Sequence, residues 1–301
     1  MQSEMLPGLV SVALCVRNAR DTIVKAVQSI LDQSYEHLEL FVVDDQSDDG
    51  SADLVRTQIQ DPRVTLIRLE KNIGTYAAKN LVLRHFTQGE FFALQDADDF
   101  SLPRRFVVQI KFIQEHQLAA CGTCIDEFFS DPAITPRFSK DIPAQFDEKD
   151  GYYHKINLYP ERFDWFTLYD PAIPIPDLKI AMNGSLMFRT EAITSLGGFE
   201  GRTPVAADTD LLLRLIGFYS FGNVQEVLYS RRFHPRSLTA SDATGFQSSL
   251  RQRFVDATDR RRAELRHFLL AGKRDEAWAV ARCDMYYPHI AFEYQPLGRC
   301  I

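Results

Sequence analysis

Four apolar segments punctuate the first hundred residues of the chain at regular intervals. They are LVSVALCV (9–16), LELFVVD (38–44), VTLIRL (64–69) and FFALQ (91–95). Nearly continuous hydrophobicity over so few residues is typical of strands that are covered on both faces, as in a parallel sheet. The pattern therefore predicts four buried strands in this part of the chain.

The segments between these strands carry the periodicity of amphipathic helices. Apolar residues recur at helical spacing after Asn18, at Ile23, Val27, Ile30 and Leu31. Ser51 is predicted to cap a short helix that ends at Ile59. Further helices are predicted over 75–86 and from 101, with Pro103 in the first turn. Strands and helices in alternation predict a doubly wound sheet, in which ligands bind beyond the carboxyl ends of the strands.

The alternation stops between residues 125 and 180, where the sequence is rich in Pro, Tyr, Phe and Asp. We interpret this segment as an ordered insertion on the acceptor side of an active site. A strand, a helix, a Gly-rich turn, a second helix and a last strand are predicted to follow it. Residues 246–282 are predicted to form a helical hairpin broken at Gly272. We therefore predict a main domain over 1–240 and a C-terminal helical segment over 241–301.

Composition excludes several classes of protein. The chain has 301 residues, 45% of them hydrophobic, and a formal net charge of -7, which argues against binding to nucleic acid. It has no run of about 18 apolar residues and no basic, apolar signal-peptide start, which predicts a cytoplasmic protein. Its five scattered cysteines, including Cys121 and Cys124, are predicted to be ordinary reduced thiols.

Carboxylates are crowded at the ends of the predicted strands. Asp96, Asp98 and Asp99 follow the fourth strand directly, where like charges repel one another. A solvated acidic turn is one explanation. A divalent cation site is the other, because two carboxylates separated by one residue can contact a hard ion and a sugar hydroxyl together.

Two further motifs flank the same predicted edge of the sheet. In VVDDQSDDGS (42–51), Asp44 or Asp45 ends a strand, where its carboxylate can accept hydrogen bonds from a nucleobase or a ribose. In NIGTYAAKN (72–80), Gly74 permits a close approach, and Lys79 lies one turn into a helix. Lys79 is either a surface lysine or a cation directed at a phosphate or at the acidic residues.

Together these motifs resemble those of the family 2 glycosyltransferases with the GT-A fold. VSVALCVRN, VVDDQSDDGS, NIGTYAAKN, DADD, GGF and ADTDLLLRL occur in the family's order over roughly residues 8–235. The resemblance implies a mixed, mainly parallel Rossmann-like sheet flanked by helices, with a C-terminal helical appendage. It also implies a nucleotide-sugar donor, Mn²⁺ or Mg²⁺, and inversion at the anomeric carbon.

The resemblance assigns roles to individual residues. Those for nucleotide binding are Arg17, Asn18, Asp45, Lys79 and Asp96. Those for the metal are Asp98 and His234, the latter in RRFHPRSL, which resembles a loop that closes over the diphosphate. Those for the donor or acceptor sugar are Asn183, Gly184, Ser185 and Asp99. Asp208 is assigned as the base that accepts the proton of the acceptor hydroxyl.

The sequence departs from the family pattern at the catalytic helix. The usual Glu-Asp pair is replaced by Ala207–Asp208, and a further acid, Asp210, follows one helical step later. Asp208 is also a candidate N-cap of that helix. The Q-x-x-R-W motif of the processive synthases is absent, which favours the transfer of one sugar per encounter.

The sequence thus predicts an inverting, non-processive transferase that uses a UDP-sugar in the biosynthesis of bacterial surface polysaccharide. The predicted acceptor is a saccharide or a lipid-linked saccharide. The alternatives are a non-catalytic nucleotide-sugar-binding module, favoured by the missing Glu, and a nucleotidyltransferase, which would need a Gly-rich loop that CVRNARDT lacks. Six arginines in the C-terminal hairpin suggest either a solvated face or peripheral contact with anionic lipid.

Overall fold

The four predicted strands and the helices between them are confirmed. The computed structural model describes residues 5–129, 147–149, 152–163, 165–235 and 237–298, so part of the predicted insertion and Cys300 lie outside the described residues. The strands are β1 (Leu6–Val16), β2 (Leu38–Asp44), β3 (Val64–Leu69) and β4 (Gly89–Asp96). The helices are α1 (Ile23–Leu31), α2 (Ser51–Gln58) and α3 (Thr75–His85).

The remaining elements extend the sheet and cover it. They are β5 (Phe100–Ser101), α4 (Arg105–Glu115), β6 (Ala120–Phe129), β7 (Asp147–Lys149), β8 (Tyr152–Asn157), α5 (Trp165–Leu168), β9 (Met187–Arg189), α6 (Thr190–Ser195), α7 (Ala207–Ile216), β10 (Phe221–Arg232), α8 (Ser249–Leu270), α9 (Arg274–Ala281) and β11 (Phe292–Pro296). The prediction that Ser51 caps α2 is wrong: Gly50, at φ 85°, occupies that position, and Ser51 Oγ accepts from Ala19 N at 3.0 Å.

One mixed sheet organises the described part of the chain. Its order is β11-β3-β2-β1-β4-β9-β6-β10-β5, with β8 on β6 and β7 on β8. The neighbours β3, β2, β1 and β4 are parallel, as are β6 and β10, whereas β9 runs antiparallel between β4 and β6. From β1 the strand order proceeds through β2 and β3 on one side and through β4 on the other. At such a switch point the carboxyl ends of β1, β2 and β4 leave a crevice between them in which ligands bind.

Two apolar layers hold the sheet between its helices. One face packs against α3, α6 and α7, with Leu81, Phe188 and Leu211 fully buried or nearly so. The other packs against α1, α2 and α4, with Val27, Val55 and Phe106 buried. Continuous burial of β1 and β2 on both faces explains why their sequences are apolar almost throughout, as the pattern predicted.

The C-terminal segment is more closely joined to the sheet than a helical appendage would be. The predicted hairpin is present as α8 and α9, and Gly272 adopts φ 71° at the break. Beyond it, however, β11 pairs antiparallel with β3, from Phe292 opposite Leu69 to Pro296 opposite Thr65. Among the described residues, no helix is long and apolar enough to cross a bilayer.

Candidate active site

A deep cleft of about 1390 Å³ lies at the carboxyl edge of the sheet. Nine of the twelve predicted site residues line it: Arg17, Asn18, Asp45, Asp96, Asp98, Asp99, Asn183, Asp208 and His234. Lys79, Gly184 and Ser185 lie behind its surface. From the predicted insertion (125–180), Tyr159, Ile175 and residues 178–180 line the cleft, and residues 181–183 that follow it also do. The fold therefore brings side chains from distant parts of the sequence to one place.

Asp45 organises the loop that precedes α3. Its carboxylate accepts hydrogen bonds from Asn72 Nδ2 at 2.6 Å, Ile73 N at 2.7 Å and Gly74 N at 2.9 Å. Burial raises the pKa of Asp45, and these backbone donors and the charge of Arg17 oppose that rise. Three of the carboxylate's acceptor sites are thus already used within the protein. Asp45 is built to shape the cleft floor and keeps little capacity for a ligand.

Arg17 and Asn18 form the exposed turn after β1. Asn18 adopts φ 55°, in the left-handed region, and is stabilised there by two hydrogen bonds to the loop after β2. Its N–H donates to Ser47 Oγ at 3.0 Å, and its Oδ1 accepts from Asp48 N at 3.0 Å. These bonds fix the turn and leave the Arg17 side chain exposed at the cleft.

Lys79 supports Asp96 from behind. Its side chain is fully buried on α3, and its Nζ lies 3.6 Å from Asp96 Oδ1. Burial raises the pKa of Asp96, and the charge of Lys79 is the largest influence that lowers it. The Nζ has no hydrogen-bond partner among the described residues. Lys79 therefore acts on the acidic cluster by its charge and does not itself line the cleft.

Asp98 and His234 lie side by side at the cleft surface, although 136 residues separate them. His234 Nε2 lies 2.8 Å from Asp98 Oδ2, and each side chain is about 30% exposed. His234 follows β10, and Asp98 lies in the turn after β4. Two ligands of one octahedral ion would lie about 3 Å apart, given metal–ligand distances of about 2.1 Å. The pair therefore has the chemistry and the spacing of a partial metal site.

Asp99 points into the protein and fastens the acidic turn to β10. Its Oδ2 accepts from the hydroxyl of Tyr229 at 2.9 Å, and its Oδ1 accepts from Arg232 N at 2.8 Å. Burial, together with the charges of Asp98 and Asp96, raises the pKa of Asp99 well above its ordinary value. Each oxygen already accepts from one protein donor, and Asp99 is only 2% exposed, so little of it is accessible for the predicted contact with a sugar.

Gly184 and Ser185 have similarly internal roles. A Cβ at Gly184 would lie 2.6 Å from Tyr229 Cζ and 2.9 Å from Asp96 Oδ2, so only glycine leaves room for these side chains. The buried Ser185 hydroxyl donates to Met182 O at 2.8 Å and accepts from Thr123 N at 3.3 Å. Of this predicted sugar-contact segment, only Asn183 faces the cleft.

Asp208 and Asp210 diverge, although both lie in the first turn of α7. Asp208 lines the cleft and accepts from the hydroxyl of Tyr76 at 3.0 Å. Asp210 is buried and binds Arg214 Nε at 2.8 Å and the guanidinium of Arg261 on α8. The prediction that Asp208 caps the helix is wrong, because Ala206 precedes α7 at φ 64° and no side chain caps it.

The loop between β10 and α8 covers one side of the cleft and is held by two arginines. Arg231 donates to Glu127 at 2.8 Å and to Thr239 Oγ1 at 2.6 Å. Arg251 donates to the carbonyls of Thr244 and Leu238 at 2.8 and 3.2 Å. Neither residue was among the predicted site residues, although the RR of RRFHPRSL was a usable signal for Arg231.

The six arginines of the C-terminal hairpin do not form one solvated face. Arg251 holds the cleft loop, Arg261 binds Asp210, and Arg262 is buried and donates to backbone carbonyls. Arg253 and Arg260 are exposed. Half of the residues on which the lipid-contact hypothesis was based are therefore engaged inside the protein.

Solved structures share this fold. The S. aureus TarS 1-349 structure with UDP-GlcNAc superimposes with a TM-score of 0.55, at 14% identity over 90% of either chain. The mannosyltransferase PcManGT from Pyrobaculum calidifontis, in complex with GDP-Man and Mn²⁺, gives a TM-score of 0.54 at 19% identity, over 90% of this chain and 78% of that one. The predicted GT-A fold is confirmed by these neighbours.

Sequence relatives agree with the fold. The putative glycosyltransferase EpsE of Bacillus subtilis is 29% identical over 251 residues, 77% of either protein. The Escherichia coli UDP-Glc:alpha-D-GlcNAc-diphosphoundecaprenol beta-1,3-glucosyltransferase WfaP is 31% identical over 110 residues, 36% of this chain and 43% of that protein. The model of glycosyl transferase family 2 matches residues 11–171, more than half of the sequence. With its acidic cleft on a GT-A sheet, the chain belongs to glycosyl transferase family 2, and it is a glycosyltransferase.

Proposed function

We propose that this protein is an inverting, metal-dependent glycosyltransferase that moves one sugar from a UDP-sugar to a saccharide or glycolipid acceptor. Its pathway would be the assembly of a bacterial surface polysaccharide, on the cytoplasmic side of the membrane. One observation carries the proposal. Asp96, the Asp98–His234 pair and Asp208 line a single cleft, although they come from three separate parts of the sequence.

The donor end of the cleft is proposed to lie at the carboxyl ends of β1, β2 and β4. We propose that the exposed Arg17 and Asn18 contact the nucleobase and that Asp96 accepts from the ribose hydroxyls, since all three line the cleft. Asp45 supports this end through the 72–74 loop. The choice of UDP is supported by the UDP-bound form of TarS and by the name of WfaP.

The residues present fit a divalent cation. Asp98 offers a hard oxygen ligand and His234 an imidazole nitrogen, and the described part of the chain has no cluster of three or more such ligands. An Mn²⁺ or Mg²⁺ ion would then complete its shell with diphosphate oxygens and water. When bound, it would neutralise the charge that develops on the leaving diphosphate. The Mn²⁺ in the PcManGT complex supports this choice.

Asp208 is proposed as the general base. Its carboxylate faces the cleft, whereas Asp210 is occupied by Arg214 and Arg261. Asp208 would accept the proton of the acceptor hydroxyl while that oxygen attacks the anomeric carbon from the face opposite the leaving group. Such an attack inverts the anomeric configuration. The buried Ala207 stands where the family usually has a Glu. The proton transfer remains possible without that Glu, because Asp208 is the proposed acceptor of the proton.

The acceptor is proposed to enter between the insertion and the loop before α8. Asn183 faces this side of the cleft, and its Oδ1 is buried without a hydrogen-bond partner among the described residues. Leu238 and Phe246, both about half exposed, also line the cleft. An apolar rim supports a lipid-linked saccharide, and the exposed Arg253 and Arg260 support peripheral contact with an anionic bilayer.

The proposal is tested by measuring UDP release from a panel of UDP-sugars, with Mn²⁺ and with excess EDTA. We expect one donor to turn over, chelation to abolish turnover, and Asp98→Asn to do the same while the protein remains folded. With no acceptor added, the sugar is transferred to water, and the anomeric configuration of this free sugar, followed by proton NMR before it mutarotates, should be opposite to that of the donor. Full turnover in EDTA would remove the metal from the proposal, and retained configuration would remove inversion.

A further inference from the structure

Tyr76, which was not among the predicted site residues, makes a hydrogen bond to the proposed base. It lies in the first turn of α3, is 6% exposed, and lines the cleft. Its hydroxyl donates to Asp208 Oδ1 at 3.0 Å, across a sequence separation of 132 residues. Among the residues that the structure describes, Tyr76 is the one hydrogen-bond partner of the Asp208 carboxylate.

The phenol is fixed in place and remains a donor. The ring centroids of Phe199 and Tyr76 lie 5.6 Å apart, and Lys79 Nζ lies 5.6 Å from the centroid of the Tyr76 ring. Phe199 is itself held, because its N–H donates to Asn80 Oδ1 at 2.9 Å. Burial and the charge of Asp208 raise the pKa of Tyr76 well above its ordinary value. The hydroxyl therefore stays protonated at neutral pH and donates.

Asp208 needs such a partner because its own helix does not hold it. It makes no capping bond at the start of α7, and the preceding Ala206 has a left-handed backbone at φ 64°. A carboxylate without a fixed partner rotates among its rotamers, and a base must lie within about 3 Å of the proton that it accepts. The bond from Tyr76 occupies Oδ1, which leaves Oδ2 for the acceptor hydroxyl.

We infer that Tyr76 is a positioning residue that orients the Asp208 carboxylate so that Oδ2 faces the acceptor. This inference rests on the proposed function, in which Asp208 is the base. Tyr76 and Lys79 are three residues apart and lie on one face of α3. Tyr76 supports Asp208 through a hydrogen bond, and Lys79 supports Asp96 through its charge. We therefore expect the Tyr76 contact to affect the rate and the Lys79 contact to affect nucleotide affinity.

The test compares Tyr76→Phe with Tyr35→Phe, using UDP release from the donor that the wild-type enzyme turns over. Phenylalanine keeps the ring contacts and removes only the hydroxyl. Tyr35 is a matched control, because its hydroxyl donates to Gly8 O at 2.7 Å away from the cleft lining. We expect Tyr76→Phe to lower kcat about tenfold, the scale of one lost hydrogen bond, with unchanged KM for the donor and unchanged Kd for UDP. Tyr35→Phe should retain the wild-type kcat.

A double-mutant cycle separates positioning from a structural role. If Tyr76 acts through Asp208, Tyr76→Phe should cause no further loss of rate in an Asp208→Asn background. An equal loss in both backgrounds, a wild-type kcat for Tyr76→Phe, or a loss of UDP affinity that matches the loss of rate would each overturn the inference. A loss of stability caused by Tyr76→Phe would lower the rate equally in both backgrounds, so the cycle still distinguishes positioning from a structural role. An inactive wild-type enzyme across the whole donor panel would instead refute the proposed function.

Discussion

Gly184→Ala should destabilise the protein because the new methyl group has no space. Its Cβ would lie 2.6 Å from Tyr229 Cζ, closer still to the hydroxyl, and 2.9 Å from Asp96 Oδ2. A 3.0 Å contact requires the buried ring to retreat by about 0.4 Å at Cζ and by more at the hydroxyl. Overpacking of this kind costs about 1–3 kcal/mol. The retreat also strains the 2.9 Å bond from Tyr229 to Asp99, which is worth about 1 kcal/mol.

The sum is a loss of about 2–4 kcal/mol in the free energy of unfolding. A 301-residue chain unfolds with an entropy of about 0.6 kcal/mol/K, so Tm should fall by about 3–6 °C. Differential scanning calorimetry measures this change. Gly272→Ala is the control, since nothing lies within 4 Å of its Cβ and its cost is limited to the left-handed backbone, about 1 kcal/mol.

The clash with Tyr229 also predicts a coupling. Tyr229→Phe removes the atom nearest to the new methyl group, so the double variant should be less destabilised than the sum of the two single variants. Additive losses of unfolding free energy, or a Tm for Gly184→Ala no lower than that for Gly272→Ala, would contradict this. They would show that Gly184 is not needed to leave room for Tyr229 and Asp96.

Three further outcomes are expected. Burial and neighbouring carboxylates raise the pKa of Asp99, so its stabilising effect is largest in acid and is lost as pH rises through that pKa. Asp99→Asn should therefore reduce the gain in unfolding free energy that urea titrations measure when the pH is lowered from 8 to 5. An unchanged gain would contradict this. Arg261→Gln should lower the free energy of unfolding by about 1–2 kcal/mol, because it loses the bond to Asp210. Arg260 is exposed, so Arg260→Gln should have no effect. Equal losses in the two variants would contradict a stabilising role for the Arg261–Asp210 bond. If Arg253 and Arg260 contact lipid, flotation should show salt-sensitive binding to anionic vesicles that Arg253→Gln weakens; equal non-binding to anionic and neutral vesicles would refute the contact.

The sequence was sufficient to predict the four parallel strands β1 to β4 and nine of the residues that line the cleft. The apolar runs defined β1 to β4, and because parallel strands share a carboxyl edge, the acids that follow them had to lie close together. The pairing of Asp98 with His234 was also accessible, through the family resemblance. The strands and their acidic ends were accessible because that information is local or follows from the order of the elements.

Other features depended on packing between distant segments. Asp96, Asp98 and Asp99 are alike as a sequence, yet Asp99 turns inward because Tyr229 and Arg232 of β10 offer it donors. Tyr76 looked like an ordinary helix residue, since its partner Asp208 lies 132 residues away. Likewise, β11 was missed because FEYQP is short and mostly exposed, and pairing with β3 alone makes it a strand.

The role of Asp208 as the base is tested most directly by the single-turnover rate of Asp208→Asn, measured together with its affinity for UDP. Asparagine keeps the shape of the side chain but cannot accept the proton, so the account predicts a rate loss of about 10²-fold or more, with UDP affinity at the wild-type level. A variant that turns over the donor at the wild-type rate would show that Asp208 is not the base. It would also contradict the proposed mechanism of the cleft.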